Sequence, residues 1–134
     1  MEKNKLYLSW EDINDLLDNI HNQSKGKIDY VTGIPRGGTI LAVLYSHRFN
    51  IQYMDRPSNH YPRLLILDDI ADTGRTLNDY VKNFTKPKFG TLHYKETSSF
   101  TPNYYAKIAG TEWIVYPWET LDSIPVQDYL VDQK

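Results

Sequence analysis

The chain has 134 residues, which is long enough to bury the core of one domain, and we expect residues 1–134 to fold as a single domain. A formal net charge of −2 and a pI near 6.0 argue against a surface that coats nucleic acid. The chain has no cysteine, which excludes disulfides, thiol catalysis and thiolate metal sites. No signal peptide or membrane-length apolar run is evident, so we expect a soluble, cytoplasmic protein without a membrane partner.

The first predicted element is a helix that begins after Ser9. Serine is a favoured N-cap residue, and two acids follow it in the first turn. An apolar stripe at helical spacing then predicts one face packed on a sheet, formed by Ile13, Leu16, Leu17 and Ile20.

The next unit is a strand, a glycine-rich turn and a helix. Residues 28–34 predict a short strand, and Thr39 begins the helix. The turn between them, Pro35-Arg36-Gly37-Gly38, is by itself equally consistent with a structural turn and with an anion-binding loop. A third strand is predicted over Phe49–Met54, and the polar, turn-rich segment 55–62, which includes His60, follows it.

The most informative stretch is Leu64–Thr76. Four apolar residues, Leu64–Leu67, predict a strand buried on both faces, which is typical of a parallel sheet. Asp68 and Asp69 are expected where that strand ends, and the small-residue turn Ala71–Thr76 leads into a helix. Such a turn can hold a phosphate on its backbone N–H groups, while the two carboxylates can accept from sugar hydroxyls or bind a divalent cation. A phosphorylated ribose with Mg²⁺ satisfies all of these groups together.

Three other protein families have similar sequence motifs, but the context of this stretch excludes each of them. The DDxxD motif of prenyl-diphosphate synthases lies on a long helix, whereas Asp68-Asp69-x-x-Asp72 follows a strand. The phosphatase pattern needs aspartates at alternate positions, where this chain has Ile70. A Walker B strand needs a Gly-x-x-x-x-Gly-Lys loop elsewhere, and the sequence has none.

Two further strands complete the pattern. Residues 90–95 predict a strand that ends at Lys95, and residues 111–119 predict a last strand that stops at Pro117. The segment after Thr120 is apolar only in patches and is expected to dock loosely or to mediate contacts. Alternating strands and helices predict a parallel, three-layer α/β fold.

The stretch Leu64–Thr76 resembles the 5-phosphoribosyl-1-diphosphate (PRPP) motif of the type I phosphoribosyltransferases. That motif has four apolar residues, two acids, two variable residues and then Asp/Glu-Thr-Gly-x-Thr, and every position is filled here. With Lys95 and Trp113-x-x-x-Pro117-Trp118-Glu119, the chain is most similar to the xanthine–guanine enzymes of that family. The resemblance implies the type I fold with a small C-terminal hood, a cis Pro35–Arg36 peptide bond and a homo-oligomer.

The resemblance also implies a role for each matching residue in binding PRPP. Asp68 and Asp69 would face the ribose hydroxyls, and Asp69 would also bind Mg²⁺. Arg36 and Gly37 would line the pyrophosphate. The turn that would hold the 5′-phosphate consists of Ala71, Asp72, Thr73, Gly74, Arg75 and Thr76.

The second substrate implied by the resemblance is a purine base. Asp72 would lie near purine N7 as the catalytic acid or base. Lys95 would donate to the exocyclic O6, Trp113 would stack on the ring, and the Ile114 backbone would meet the 2-substituent. A lysine selects a 6-oxopurine because its ammonium cannot accept a hydrogen bond from the amino group of adenine.

The sequence departs from the family at one point and leaves two other functions open. The family carries a long flexible loop before the PRPP motif, whereas about a dozen residues separate Met54 from Leu64. A chain without that lid could be a catalytically weak protein that senses PRPP or a nucleotide. It could also be an enzyme of this fold with another nucleophile, in which Trp113 is only a core residue.

Overall fold

The computed structural model describes residues 4–57 and 61–119. His60 of the polar segment and the predicted docking of the segment after Thr120 lie outside these residues. The elements in chain order are β1 (Lys5–Tyr7), α1 (Trp10–Ser24), β2 (Tyr30–Gly33), α2 (Gly37–Phe49), β3 (Gln52–Tyr53), β4 (Leu64–Ala71), α3 (Arg75–Val81), β5 (Lys88–Tyr94), β6 (Tyr104–Ile108) and β7 (Trp113–Val115).

Five strands form one parallel sheet in the order β3-β2-β4-β5-β6. The strands β1 and β7 pair in parallel with each other in a separate two-stranded sheet. The predicted parallel α/β fold is therefore confirmed. Because β4 lies at the centre, its carboxyl end is flanked by the carboxyl ends of β2 and β5.

Helices cover both faces of the sheet, and alternate side chains of β4 pack against the helices on each face. Leu65 and Leu67 pack into one apolar cluster with side chains of α1 and α2. Leu64 and Ile66 point to the opposite face and pack into a second cluster with Leu77 of α3. These four β4 side chains are all buried, so the continuous apolar run predicts the three layers correctly.

The structure corrects several predicted boundaries, including the start of α2 at Gly37 instead of Thr39, and adds two strands. Residue Phe49, predicted as strand, ends α2, because its ring stacks on His21 at 3.9 Å between centroids. Asn50 then ends the helix in the left-handed conformation (φ 55°), which leaves only Gln52–Tyr53 for β3. The central strand continues to Ala71 instead of ending at Leu67. The strands β1 and β6 were not predicted.

The N-cap of α1 gives a first testable prediction. Asp12 N–H donates to Ser9 Oγ at 3.0 Å, and Ser9 N–H donates to the Asp12 carboxylate at 2.9 Å, which is a complete capping box. We expect Ser9→Ala to lower the free energy of unfolding by about 1 kcal/mol in urea titrations. The matched control is Ser9→Asn, which keeps an acceptor at the cap. An equal loss in both variants would contradict the capping role.

Candidate active site

Four predicted site segments meet at one edge of the sheet. The strands β2, β4 and β5 are adjacent and parallel, so the residues at their carboxyl ends lie together. These are the Pro35–Arg36 turn after β2 with the start of α2, the acidic pair near the end of β4, the turn from Asp72 that follows it, and Lys95 after β5. The Pro35–Arg36 peptide bond is cis, as predicted.

The acidic pair lies within β4 instead of after it. Asp68 is in register with Thr91 of β5, and the pairing continues to Ala71 and Tyr94. Each carboxylate accepts a hydrogen bond from the next backbone N–H: Asp68 from that of Asp69 at 2.9 Å, and Asp69 from that of Ile70 at 2.8 Å. The two side chains leave the strand in opposite directions, because successive strand residues alternate.

The Asp69 carboxylate lies against Gly37, the first residue of α2. A Cβ atom added to Gly37 would be 2.7 Å from Asp69 Oδ2 and 3.6 Å from Trp118 Cζ2, so these three residues are in close contact. Loss of solvent, together with the negative charge of Glu119, raises the pKa of Asp69 to about 6, although hydrogen bonds to the carboxylate oppose this shift. The glycine therefore leaves room for a carboxylate that sits in a poorly solvated position.

The turn between β4 and α3 is supported from behind by the loop after β5. Gly74 has φ 89°, and a Cβ atom there would clash with the backbone N of Phe100. The Thr73 carbonyl accepts from the Ser99 N–H at 2.8 Å and from the Ser99 hydroxyl at 2.9 Å. Ser99 could not be singled out from the sequence, because a serine in a polar loop carries no distinguishing signal.

The resemblance assigns Lys95 and Asp72 to the same purine base, and in the structure their side chains form an ion pair with each other. Lys95 Nζ lies 3.0 Å from Asp72 Oδ1, with the two side chains 31% and 56% exposed. An ion pair this exposed contributes about 0–1 kcal/mol to stability, so its charges remain available to a ligand. The Lys95 N–H also donates to the Ala71 carbonyl at 3.0 Å, which ties the end of β5 to the turn.

The two-stranded sheet forms a hood, to which β1 near the start of the described chain and β7 near its end each contribute one strand. Pairing of β1 with β7 sets Trp113 opposite Lys5 and Ile114 opposite Leu6. Trp113 and Ile114 are half-buried. The sequence predicts only the C-terminal half of this hood, because β1 has three residues and no distinctive alternation.

Tyr116 and His93, which carry no sequence signal for the site, connect the hood to the acidic pair. Tyr116 Oη donates to the Asp69 carbonyl at 3.3 Å, and the Tyr116 ring stacks on Trp118 at 5.0 Å. His93 Nδ1 lies 3.0 Å from the same phenol oxygen. The hood is thus fixed to β4 by direct hydrogen bonding.

Within the described residues, no group of three or more histidine, aspartate or glutamate side chains converges that could hold a metal ion unaided. A cation at this edge would therefore need ligands from a substrate in addition to the acidic pair. In the same part of the chain, no helix is long and apolar enough to cross a bilayer.

No family model matches the chain. A xanthine–guanine phosphoribosyltransferase from Idiomarina loihiensis is 22% identical over 140 aligned positions, covering 86% of this chain and 87% of the relative. The crystal structure of a purine phosphoribosyltransferase from Pyrococcus horikoshii has a TM-score of 0.78 and 27% identity over 91% of this chain and 99% of that chain. A xanthine–guanine–hypoxanthine phosphoribosyltransferase from Helicobacter pylori shares the fold, with a TM-score of 0.74, 19% identity and coverage of 87% and 93%.

The chain has the fold of the type I phosphoribosyltransferases, which these solved structures share. Its sequence is similar to those of xanthine–guanine phosphoribosyltransferases.

Proposed function

We propose that the chain transfers the ribose 5-phosphate of PRPP to N9 of a 6-oxopurine (guanine, xanthine or hypoxanthine), which gives the nucleotide and pyrophosphate. The observation that carries the proposal is the contact of Lys95, at the end of β5, with Asp72 of the PRPP motif at one edge of the sheet. Relatives at 22–27% identity over most of the chain bear names of purine phosphoribosyltransferases, which supports the same reaction.

In this proposal PRPP lies along the carboxyl ends of β2 and β4. The ribose hydroxyls donate to Asp68 and Asp69. The Arg36–Gly37 turn faces the pyrophosphate, where the guanidinium and backbone N–H groups match phosphate oxygens. The 5′-phosphate accepts from the turn formed by Ala71, Asp72, Thr73, Gly74, Arg75 and Thr76, which the hydrogen bonds from Ser99 hold in place.

The acidic pair fits a magnesium site of the kind completed by substrate. Mg²⁺ commonly takes one or two protein carboxylates and fills its octahedron with water and substrate phosphates. Asp69 would be the protein ligand, because its carboxylate lies beside Gly37, which would line the pyrophosphate. When bound, the ion neutralises charge on the departing pyrophosphate.

The purine lies between the hood and the end of β5. Its O6 accepts from the Lys95 ammonium, its N7 faces Asp72, and Trp113 stacks on the ring while the Ile114 backbone meets the 2-substituent. The 3.0 Å separation of the two charged groups suits the O6 and N7 edge, where one donor and one acceptor are needed side by side. An adenine would set its amino group against the ammonium, donor against donor.

The reaction breaks the bond from ribose C1 to pyrophosphate, whose oxygen keeps the electron pair, and forms a bond from C1 to N9. The transition state has oxocarbenium character, as in glycoside cleavage, so positive charge develops at C1 beside the acidic pair. The Asp72 carboxylate accepts the proton that the imidazole ring of the purine releases. The protein groups therefore act by orientation, by electrostatic stabilisation and by proton transfer.

The Asp72→Asn variant tests the catalytic assignment. We expect kcat for nucleotide formation to fall at least about 100-fold, because the amide cannot accept the proton. PRPP binding by calorimetry should change less than about threefold, since the turn backbone remains. The matched control is Asp79→Asn on the exposed side of α3, which should leave both quantities unchanged. Equal kcat in the Asp72→Asn variant and the parent would contradict the assignment.

A second function, binding of PRPP or a nucleotide without efficient transfer, is favoured by one observation. The connection between β3 and β4 spans only residues 54–63, where the resembling family has a closing loop. PRPP can be tested with guanine, xanthine, hypoxanthine and adenine in turn. If PRPP raises the melting temperature but releases no pyrophosphate with any of these bases, the chain is a binding protein of this fold.

A further inference from the structure

We propose that His93 and Tyr116 form a positioning pair that sets the purine slot by fixing the hood to the carboxyl end of β4. The inference rests on the proposed function, because it assigns the slot to the base. The pair does not touch the reacting atoms. It acts through the chain segment that carries Trp113 and Ile114.

The pair is buried and connects three elements. His93 on β5 is 2% exposed, and Tyr116, one residue after β7, is 4% exposed. His93 Nδ1 lies 3.0 Å from Tyr116 Oη, which lies 3.3 Å from the backbone carbonyl oxygen of Asp69 on β4. One phenol oxygen thus links the hood to both β4 and β5.

The direction of these hydrogen bonds follows from the groups themselves. A carbonyl oxygen only accepts, so the single phenol proton of Tyr116 points to Asp69. The Tyr116 oxygen must then accept from His93, which places a proton on Nδ1. Burial, together with the positive charge of Lys107, lowers the pKa of His93 to about 4, so the ring is neutral near pH 7 and carries one N–H.

The Tyr116 backbone and ring are also restrained. The Tyr116 N–H donates to the Glu119 carboxylate at 2.9 Å, and the ring stacks on Trp118 with an interplanar angle of 4°. Trp118 in turn contacts Trp10 at the start of α1, with 6.0 Å between ring centroids. Only two residues separate Tyr116 from Trp113, so displacement of the phenol would move the segment that faces the base.

The test compares KM with kcat in three variants of the full chain. Tyr116→Phe removes both hydrogen bonds, His93→Leu removes the donor, and His93→Asn retains an amide N–H near the Nδ1 position. We expect the KM for guanine to rise about tenfold in the first two variants, with kcat and PRPP affinity within about threefold of the parent. His93→Asn should recover most of the affinity, and the exposed Tyr7→Phe serves as the tyrosine control.

A purely structural role would lower the folded fraction and kcat without moving the KM for guanine, and that result would overturn the proposal. Equal KM values for the Leu and Asn variants would also overturn it.

A double-mutant cycle tests the pair without any turnover. We expect the effects of His93→Leu and Tyr116→Phe on the unfolding equilibrium constant to be non-additive by about fivefold, since each change alone leaves a buried polar group unpaired. Additive effects would overturn the inference. If the parent gives no turnover while the cycle shows coupling, the proposed function fails, and titration with GMP then decides whether the pair sets the slot. Weaker GMP binding in Tyr116→Phe supports it, and unchanged binding overturns it.

Discussion

The Gly37→Ala variant is expected to lose transferase activity by at least about 100-fold in kcat/KM for PRPP. The new Cβ atom would lie 2.7 Å from Asp69 Oδ2, a distance that real contacts do not tolerate. The Asp69 carboxylate is short and is held by the Ile70 N–H at 2.8 Å, so relief of the clash moves the carboxylate itself. Steady-state kinetics with varied PRPP, together with a melting curve, measure the effect.

The control for this variant is Gly110→Ala. A Cβ atom at Gly110 meets only Glu112 Oε1 at 3.4 Å, which is ordinary contact, so we expect activity close to that of the parent. A fully active Gly37→Ala variant would show that the glycine turn and the Asp69 carboxylate do not act together on the substrate.

The Asp69→Asn variant is expected to lose activity and to gain stability. Transfer should fall at least about 1,000-fold at saturating PRPP and Mg²⁺, because the amide is a poor ligand for the ion and carries no charge opposite the developing positive C1. The amide oxygen can still accept from the Ile70 N–H, so the fold is preserved. Asp68→Asn is the companion variant, with its own effect on PRPP affinity measured by calorimetry.

The gain in stability should depend on pH in a defined direction. The pKa of Asp69 is raised from 3.8 to about 6 in the folded chain, so the unfolded chain releases this proton first as the pH rises. The parent therefore loses stability between about pH 3.8 and pH 6, whereas the amide of the Asp69→Asn variant does not titrate. Without Mg²⁺ at pH 8, the variant should be more stable by up to about 3 kcal/mol.

Urea titrations at pH 8 and near pH 4 measure this difference, which should approach zero at the lower pH. His93 has the opposite dependence, because its lowered folded pKa of about 4 contributes stability that is lost as the pH falls from 6.5. That contribution is common to parent and variant and cancels in the difference. A variant less stable than the parent at pH 8 would contradict burial as the cause of the raised pKa.

Much of the fold could be predicted from the sequence, because its strongest signals are local. The run Leu64–Leu67 has apolar side chains for both faces of a parallel sheet, and the structure places two of them in each core cluster. Ser9 is a cap whose partner Asp12 lies within four residues. Such features need no knowledge of distant contacts, so periodicity and capping rules are enough.

The rest depends on long-range pairing that local patterns do not encode. The strand β1 exists because β7 lies beside it, 108 residues along the chain from Lys5 to Trp113. The central strand extends past Asp68 because β5 continues to pair with it. Similarly, Ser99 and His93 become important only through partners on other elements, Thr73 and Tyr116.

The placement of the acidic pair shows the same limit within the site. The motif predicts that Asp68 and Asp69 follow the strand, and the structure places them inside it. The motif identifies these residues, but the pKa of Asp69 is raised by burial in the folded chain and by the charge of Glu119, which lies far along the chain.

The most direct test of the account is pyrophosphate release from PRPP and Mg²⁺ with guanine, xanthine, hypoxanthine and adenine offered separately. Release that depends on a base and is confined to the 6-oxopurines is the predicted result, and it would support the Lys95–Asp72 edge as the base-reading site. Release with adenine at a comparable rate would contradict that assignment. No release with any base, while PRPP still raises the melting temperature, would contradict transfer itself.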